Sequence, residues 1–490
     1  MSDRPNILLI TTDQHRRDTL GCYGADVCET PHIHALAAGG VTFDHAYTVT
    51  AICTPARASM LTGAAPFRHK LLANFERNVG YPTELADDTR MIPHYLPEYR
   101  CANIGKWHVG QQRGPQSFGF NGHHYEGWHP PYKHPDYLAY LRERNLPGFT
   151  VKNEVRGIFP NGEPGIPQMG VHDAPVEATF CHYLTTRTIE QIEQYSAGDT
   201  PFFIACQFYG PHLPYYLPEA VLNRYDPAQV APHPSMAETF AGKPRVQHNY
   251  SQHWGMDTLP WETWQKLIAA YQGYVSLIDE QVGRLMAALE QNRLADNTIV
   301  IFTADHGGFV GNHRLADKGP AMYDDIYRIP LIVRDPHAST AGARTNAMVS
   351  LLDVMPTVLD AAGIAAPDDV PIDGDSFLPY ARTPGATGRD RITAEFHGHH
   401  FPYPQRMIRT HRHKLVVNPA DINELYDLHT DPFELNNIYG HPACATQQRH
   451  LMGQLYRHLV EVGDNFHHWM PTMYDMDRQS ESATGQALVR

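Results

Sequence analysis

NILLITTDQ, residues 6–14, holds four consecutive apolar residues, Ile7 to Ile10, and then ends on Asp13 and Gln14. A run this short and this apolar predicts a strand covered on both faces, as in parallel sheets packed under helices. Two later stretches repeat the plan. PFFIACQFYGPH (201–212) runs into His212, and NTIVIFTADHGG (297–308) runs into Asp305 and His306. Helical patterns lie between such runs. The clearest covers 263–291, where Leu267, Tyr271, Val275, Ile278, Val282, Leu285 and Leu289 recur at three- and four-residue steps. Strands alternating with helices predict an α/β fold with a mainly parallel sheet flanked by helices. Ligands in such sheets sit beyond the carboxyl ends of the strands, so the polar strand ends are expected to share one site.

The rest of the chain bounds this expectation. At 490 residues and 42% apolar content it can bury a large core in one dominant domain. A formal charge of −14 argues against nucleic acid as a partner, but leaves open a small anionic substrate in a locally positive pocket. The start, MSDRPNILLITTDQ, lacks a basic segment followed by a long apolar one, and no stretch of roughly 18 apolar residues occurs. No signal peptide and no membrane span are therefore expected. Seven scattered cysteines, odd in number and without metal-binding spacing, read as reduced thiols, hence a cytoplasmic protein.

Residues 110–175 are rich in Gly, Pro, His and aromatics and read as an irregular insertion at a pocket rim, as do 215–262. ARTPGATGRDR (381–391) reads as a linker. RMIRTHRHKLVVNP and NELYDLHTDPFELNN after it predict short antiparallel strands. The expected organisation is a catalytic domain over 1–385, a smaller C-terminal α+β subdomain over 386–462, and a tail over 463–490, read as either an arm of a homo-oligomer or a loose tail. His397-Gly398-His399-His400 reads as a polar loop near the pocket, although histidine tracts also bind metal.

The strand ends carry the first chemistry. Asp13, Gln14, Asp305 and His306 offer two carboxylates, an amide oxygen and an imidazole, a set suited to a hard divalent cation, with the imidazole widening the choice toward manganese. The plainer alternative is that Asp13 caps a helix and Asp305 opens a turn before Gly307-Gly308. AICTPARASMLTG (51–63) carries the second. Pro55 suits the first turn of a helix, which puts Cys53 at a helix N-terminus, where negative charge is stabilised. Arg57, one turn on, adds a fork for sulfate, phosphate or carboxylate. The plainer alternative is a small buried cysteine. A thiolate phosphatase fails on spacing, because it needs arginine six residues after the cysteine and position 59 is Ser.

Cys53-Thr54-Pro55-Ala56-Arg57, followed by Thr62-Gly63, resembles the type I sulfatase signature C-x-P-x-R-x4-T-G. GKWHVG (105–110) resembles that family's second signature. ADHGGFVGNHRLADKGPAMYDDIYRIPLIV (304–333), LLDVMPTVLDAAG (351–363) and ELYDLHTDPFELNN (424–437) resemble its later landmarks. The resemblance spans residues 5 to about 440 and implies the alkaline-phosphatase-like fold. It implies that Cys53 is oxidised to formylglycine by a modifying enzyme. It also implies one divalent metal, calcium by default or manganese, on Asp13, Gln14, Asp305 and His306. Arg57 and Lys106 would hold the hydrated aldehyde, His108 would lie beside its second hydroxyl, and His212 and Lys318 would contact the ester. Asn74 sits where related phosphonate monoester hydrolases use an asparagine to bind substrate.

The implied reaction is sulfate monoester hydrolysis. One hydroxyl of the hydrate attacks sulfur and the alcohol leaves; the remaining hydroxyl is then deprotonated, so the covalent sulfo-enzyme hemiacetal collapses and expels sulfate. The chain departs from many sulfatases in Gln14 and His306, which resemble the phosphonate monoester hydrolase branch, but Lys106-Trp107-His108 follows the sulfatases. Sulfate ester hydrolysis therefore ranks first, and phosphonate monoester or phosphodiester hydrolysis second. A non-catalytic binding protein on the same scaffold is disfavoured by the complete site set.

Overall fold

The computed structural model describes residues 4–75, 79–125, 132–148, 150–366 and 370–474. The apolar runs are strands of one eight-stranded sheet, in the order Ala343–Ser350, Val41–Tyr47, Leu331–Arg334, Thr298–Ala304, Asn6–Thr12, Phe202–Gln207, Arg100–Lys106, His124–Tyr125. Only Leu331–Arg334 runs antiparallel to its neighbours. The central strands are buried along their whole length, which is why they read as continuous apolar runs rather than alternating ones. Alternate residues of one strand feed opposite layers. Leu8 and Ile10 pack under the helices Phe180–Ser196 and Trp261–Gln291, while Ile7 and Leu9 pack against the layer containing Met60, Leu61, Met355 and Leu359.

Four antiparallel strands, Arg391–Gly398, Pro402–Thr410, His413–Val417 and Glu424–Asp427, form a second sheet in chain order. The helix Ala445–Val462 buries Leu451, Leu455 and Leu459 against it. Residues 464–474 fold back on the same layer: Phe466 and Met470 are buried there and Arg406 grips Asp464. The remainder of the tail, the candidate oligomer arm, lies outside the described residues. Among the described residues no helix is long and apolar enough to cross a membrane.

Two expectations need correction. The stretch read as irregular over 110–175 contains the helix Pro135–Glu143 and a hairpin of Val151–Ile158 with Pro164–His172, extended by Tyr215–Pro218. Three register shifts interrupt that hairpin, so the period-two alternation that marks a strand is broken in the sequence. The histidine tract is not a solvated loop. His397 and Gly398 end a strand and His399 is buried in the turn that follows, at 1% exposure.

Candidate active site

The sheet brings the polar strand ends together. Thr12 and Ala304 are paired in register on adjacent parallel strands, so the next residues, Asp13 and Asp305, leave the sheet side by side. On the other flank the Asp13 amide donates to Gly210 O at 3.0 Å, which ties down the segment carrying His212. The neighbouring strand ends on Lys106, whose Nζ lies 2.5 Å from Asp13 Oδ2.

Cys53 begins the helix Cys53–Thr62, every residue of which is buried. Ile52, at the cap position, has no side-chain acceptor to offer. Asn74 supplies one from twenty residues on: its Oδ1 accepts from Thr54 N at 3.1 Å, and its buried Nδ2 has no hydrogen-bond partner. Asn74→Ala is expected to lower stability by about 1 kcal/mol through loss of this cap. Asn74→Asp keeps the acceptor and should recover that loss. Paired denaturation curves check both.

Arg57 is fully buried one turn further along. Its Nε donates to Asp305 Oδ2 at 2.9 Å and its Nη2 to Asp13 Oδ2 at 3.0 Å. Its Nη1 reaches Gln207 Oε1 at 2.7 Å and Lys106 O at 3.2 Å. The guanidinium is thus spent on orienting the two carboxylates, and reaches residue 53 through them rather than by contact.

Cys53 Sγ lies 3.3 Å from His306 Nε2 and 3.8 Å from Asp13 Oδ1. Ligand-type atoms of Asp13, Cys53, Asp305 and His306 all fall within 4.8 Å of one another. Gln14 joins them from a left-handed backbone (φ 60°) that its neighbours hold in place. Its amide donates to Asp305 Oδ1 at 3.2 Å and its carbonyl accepts from Tyr271 OH at 2.9 Å. A Cβ on Gly308 would fall 2.5 Å from Gln14 Cγ, so glycine there makes room for the side chain. Yet Gln14 Oε1 and Nε2 are buried and without a hydrogen-bond partner. Burying an amide this way is costly unless a ligand compensates. An orphaned amide oxygen on the residue after Asp13, with two carboxylates and an imidazole already clustered there, suits a hard divalent cation.

The far wall is basic. Lys318 Nζ sits 2.9 Å from His212 Nε2 and 3.1 Å from Asp317 Oδ1. Burial disfavours the charge of Lys318, but Asp317, residue 53 and Asp13 outweigh it and raise its pKa above the usual lysine value. His108 is buried, with a positive φ of 52°. Burial, and then the Lys106 ammonium, push its pKa down to about 4, so its imidazole is neutral near pH 7. Burial also opposes an ionised Cys53, yet Lys106, Lys318 and His306 hold its thiol well below the usual range. The site is therefore built to hold negative charge at position 53.

The sulfatase family model matches residues 5–364, and the model for the C-terminal part of N-sulphoglucosamine sulphohydrolase matches 311–461. The chain belongs to the sulfatase family. Like its relatives it is a hydrolase of sulfuric esters within the alkaline phosphatase superfamily. It is 27% identical to an N-acetylglucosamine-6-O-sulfatase of Bacteroides thetaiotaomicron, over 94% of this chain and 87% of that one. It is 28% identical to an arylsulfatase of Clostridium perfringens, over 89% and 90% of the two chains. A phosphonate monoester hydrolase from Silicibacter pomeroyi shares the fold at TM-score 0.77 and 26% identity, over 94% of this chain and 96% of that one.

Ten of the eleven residues picked from the sequence are buried and the His212 side chain is nearly so, and the structure adds four neighbours that sequence reasoning missed. Gln207 carries Arg57 and donates to Asn103 Oδ1 at 2.6 Å. Asp317 balances Lys318. The Tyr209 ring lies 5.6 Å from the Lys106 ammonium. Gln207 and Asn103 left a trace in the sequence: each is a lone amide inside an apolar strand run.

Proposed function

We propose that this enzyme cleaves sulfate monoesters at residue 53 after Cys53 has been converted to formylglycine by a dedicated modifying enzyme. The observation that carries this is the place of residue 53 at the start of a buried helix, its side chain 3.8 Å from Asp13 Oδ1 and 3.3 Å from His306 Nε2 in the candidate metal cluster, with the Lys106 ammonium on the same Asp13. Cys53 Sγ marks where the oxygens of the hydrated aldehyde would sit. That hydrate supplies one hydroxyl to bond sulfur and a second whose deprotonation releases sulfate. Asp13, Gln14, Asp305 and His306 would hold one divalent metal ion, Ca2+ or Mn2+, which supplies a Lewis acid for the sulfuryl oxygens. Arg57 orients Asp13 and Asp305. Lys106 offsets charge on the transferring group. Neutral His108 takes the proton of the second hydroxyl. Lys318, kept as an ammonium and buttressed by His212, donates a hydrogen bond to the leaving oxygen, and the Asn74 amide binds the ester.

The chain is read as a catalytic domain over 1–385 and a C-terminal subdomain over 386–462. All seven cysteines are free, which supports a reducing, cytoplasmic location. A second reading, phosphonate monoester or phosphodiester hydrolysis, is favoured by Gln14 and His306 in the metal set. Two measurements test these readings. The peptide containing position 53 should show formylglycine by mass. Matched sulfate, phosphate and phosphonate esters, run side by side with Ca2+ and then Mn2+, should give the largest kcat/KM for sulfate. A larger value for the phosphonate would reverse the ranking.

Metal removal offers a separate check. Chelation should lower the melting temperature as well as abolish turnover, and Ca2+ or Mn2+ should restore both, because an ion bound only to the folded state stabilises it.

A further inference from the structure

The turn that carries His399 has no part in the chemistry above, yet it faces the same centre. It joins the strands Arg391–Gly398 and Pro402–Thr410 of the C-terminal sheet. Gly398 (φ 156°) makes the tight bend possible, since a Cβ there would lie 2.4 Å from Phe401 O. His399 is 1% exposed, and its Nδ1 is hydrogen-bonded to Tyr250 OH. Tyr250 in turn is seated on Gly319, the residue after Lys318: a Cβ at 319 would come within 2.4 Å of the tyrosine ring. This packing ties the turn directly to the lysine that flanks the ester.

More rings extend the wall. The His399 and His400 centroids are 4.0 Å apart, His253 lies 4.9 Å from His400, and Trp254 lies 5.8 Å from it. Tyr250, bonded to His399 and seated on Gly319 next to Lys318, sets the wall beside the lysine that sits 2.9 Å from His212. Burial is the first cause that lowers the pKa of His399 and His400, so the rings are neutral.

Resting on the sulfatase reading, we propose that Tyr250, His253, Trp254, His399 and His400 form the leaving-group subsite, that His399 contacts the substrate there, and that the subsite takes ring-bearing, uncharged phenols or alcohols. The faces of the rings can stack on a ring of the leaving group, and their polar edges can hydrogen-bond to its substituents. Neutral imidazoles give no fixed positive charge to a second anionic group, and the nearby Lys318 ammonium is already paired with Asp317.

The test compares 4-nitrophenyl sulfate, whose leaving group is a ring, with ethyl sulfate, which has none. Binding of each to the metal-loaded Cys53→Ala chain is measured by calorimetry, and kcat/KM is measured with the modified wild-type chain and its His399 variants. The aryl ester should bind more tightly than ethyl sulfate. His399→Ala should weaken aryl ester binding, and lower its kcat/KM, by about tenfold, while ethyl sulfate changes by less than about twofold. His399→Gln, which keeps a donor, and Tyr250→Phe, which releases the imidazole, should fall between. An unchanged melting temperature separates these effects from misfolding. Equal binding of the two esters, or an equal loss for both in His399→Ala, would overturn the subsite. If the modified wild type turns over neither ester, the sulfatase reading fails, while the binding comparison still decides the subsite.

Discussion

Cys53→Ser should yield a protein that takes up one sulfo group and stops. In a Cys53→Ser chain that keeps its serine, which the mass of the peptide containing position 53 establishes, no aldehyde hydrate forms. The serine's single hydroxyl sits where Cys53 now lies, close to His306 and Asp13, so it can still be presented to the ester. Once sulfated it has no second hydroxyl for His108 to deprotonate, and release would need water to attack a buried sulfate ester directly. Intact mass after incubation with 4-nitrophenyl sulfate should show one added sulfo group, and steady-state turnover should fall by at least about 10⁴-fold. Cys53→Ala should lose turnover to the same degree and gain no mass. Full activity in the alanine variant, or an intact thiol at position 53 in fully active wild type, would remove formylglycine from the mechanism.

What the sequence disclosed, and what it hid, follows from the range of the interactions involved. Asp13 and Asp305 were legible because they interrupt apolar runs that had to be central strands, and parallel pairing then forces their side chains together. Cys53 and Arg57 were legible because one helical turn separates them, a local relation. The capping bond from Asn74 joins the helix start to a loop twenty residues away, with no period to betray it. Gln207 and Asn103 stand out as amides in strands, but the run alone does not say which face each occupies. The place of the His399 tract near the pocket was legible, but its burial was hidden. The tract reads as polar, and only the hairpin of the second sheet, packed through Phe396 and Tyr403 with Tyr323 and Tyr327, buries it against Tyr250. The broken register of the Val151–His172 hairpin erased a pattern that would otherwise have marked two strands.

Arg57→Ala should cost stability as well as activity, and the two losses should respond differently to metal. The guanidinium is fully buried between Asp13 and Asp305 and makes four hydrogen bonds, two of them to those carboxylates. Removing one partner of a buried ion pair leaves the other uncompensated, which destabilises by roughly 3–5 kcal/mol. Here two carboxylates lose their brace together, with Lys106 still on Asp13. Arg57→Lys retains the charge but not the planar fork, so it can satisfy one carboxylate and leaves Gln207 without its donor. It should recover part of the stability and little of the rate. A divalent cation on the same carboxylates restores positive charge where the arginine was, so saturating Ca2+ or Mn2+ should shrink the stability loss of Arg57→Ala. It should not restore turnover, because Asp13 and Asp305 are no longer oriented. Thermal melts with and without metal, beside kcat/KM, separate the two effects. A melting temperature in Arg57→Ala equal to wild type in the absence of metal would show that the ion pairs are not holding the centre together.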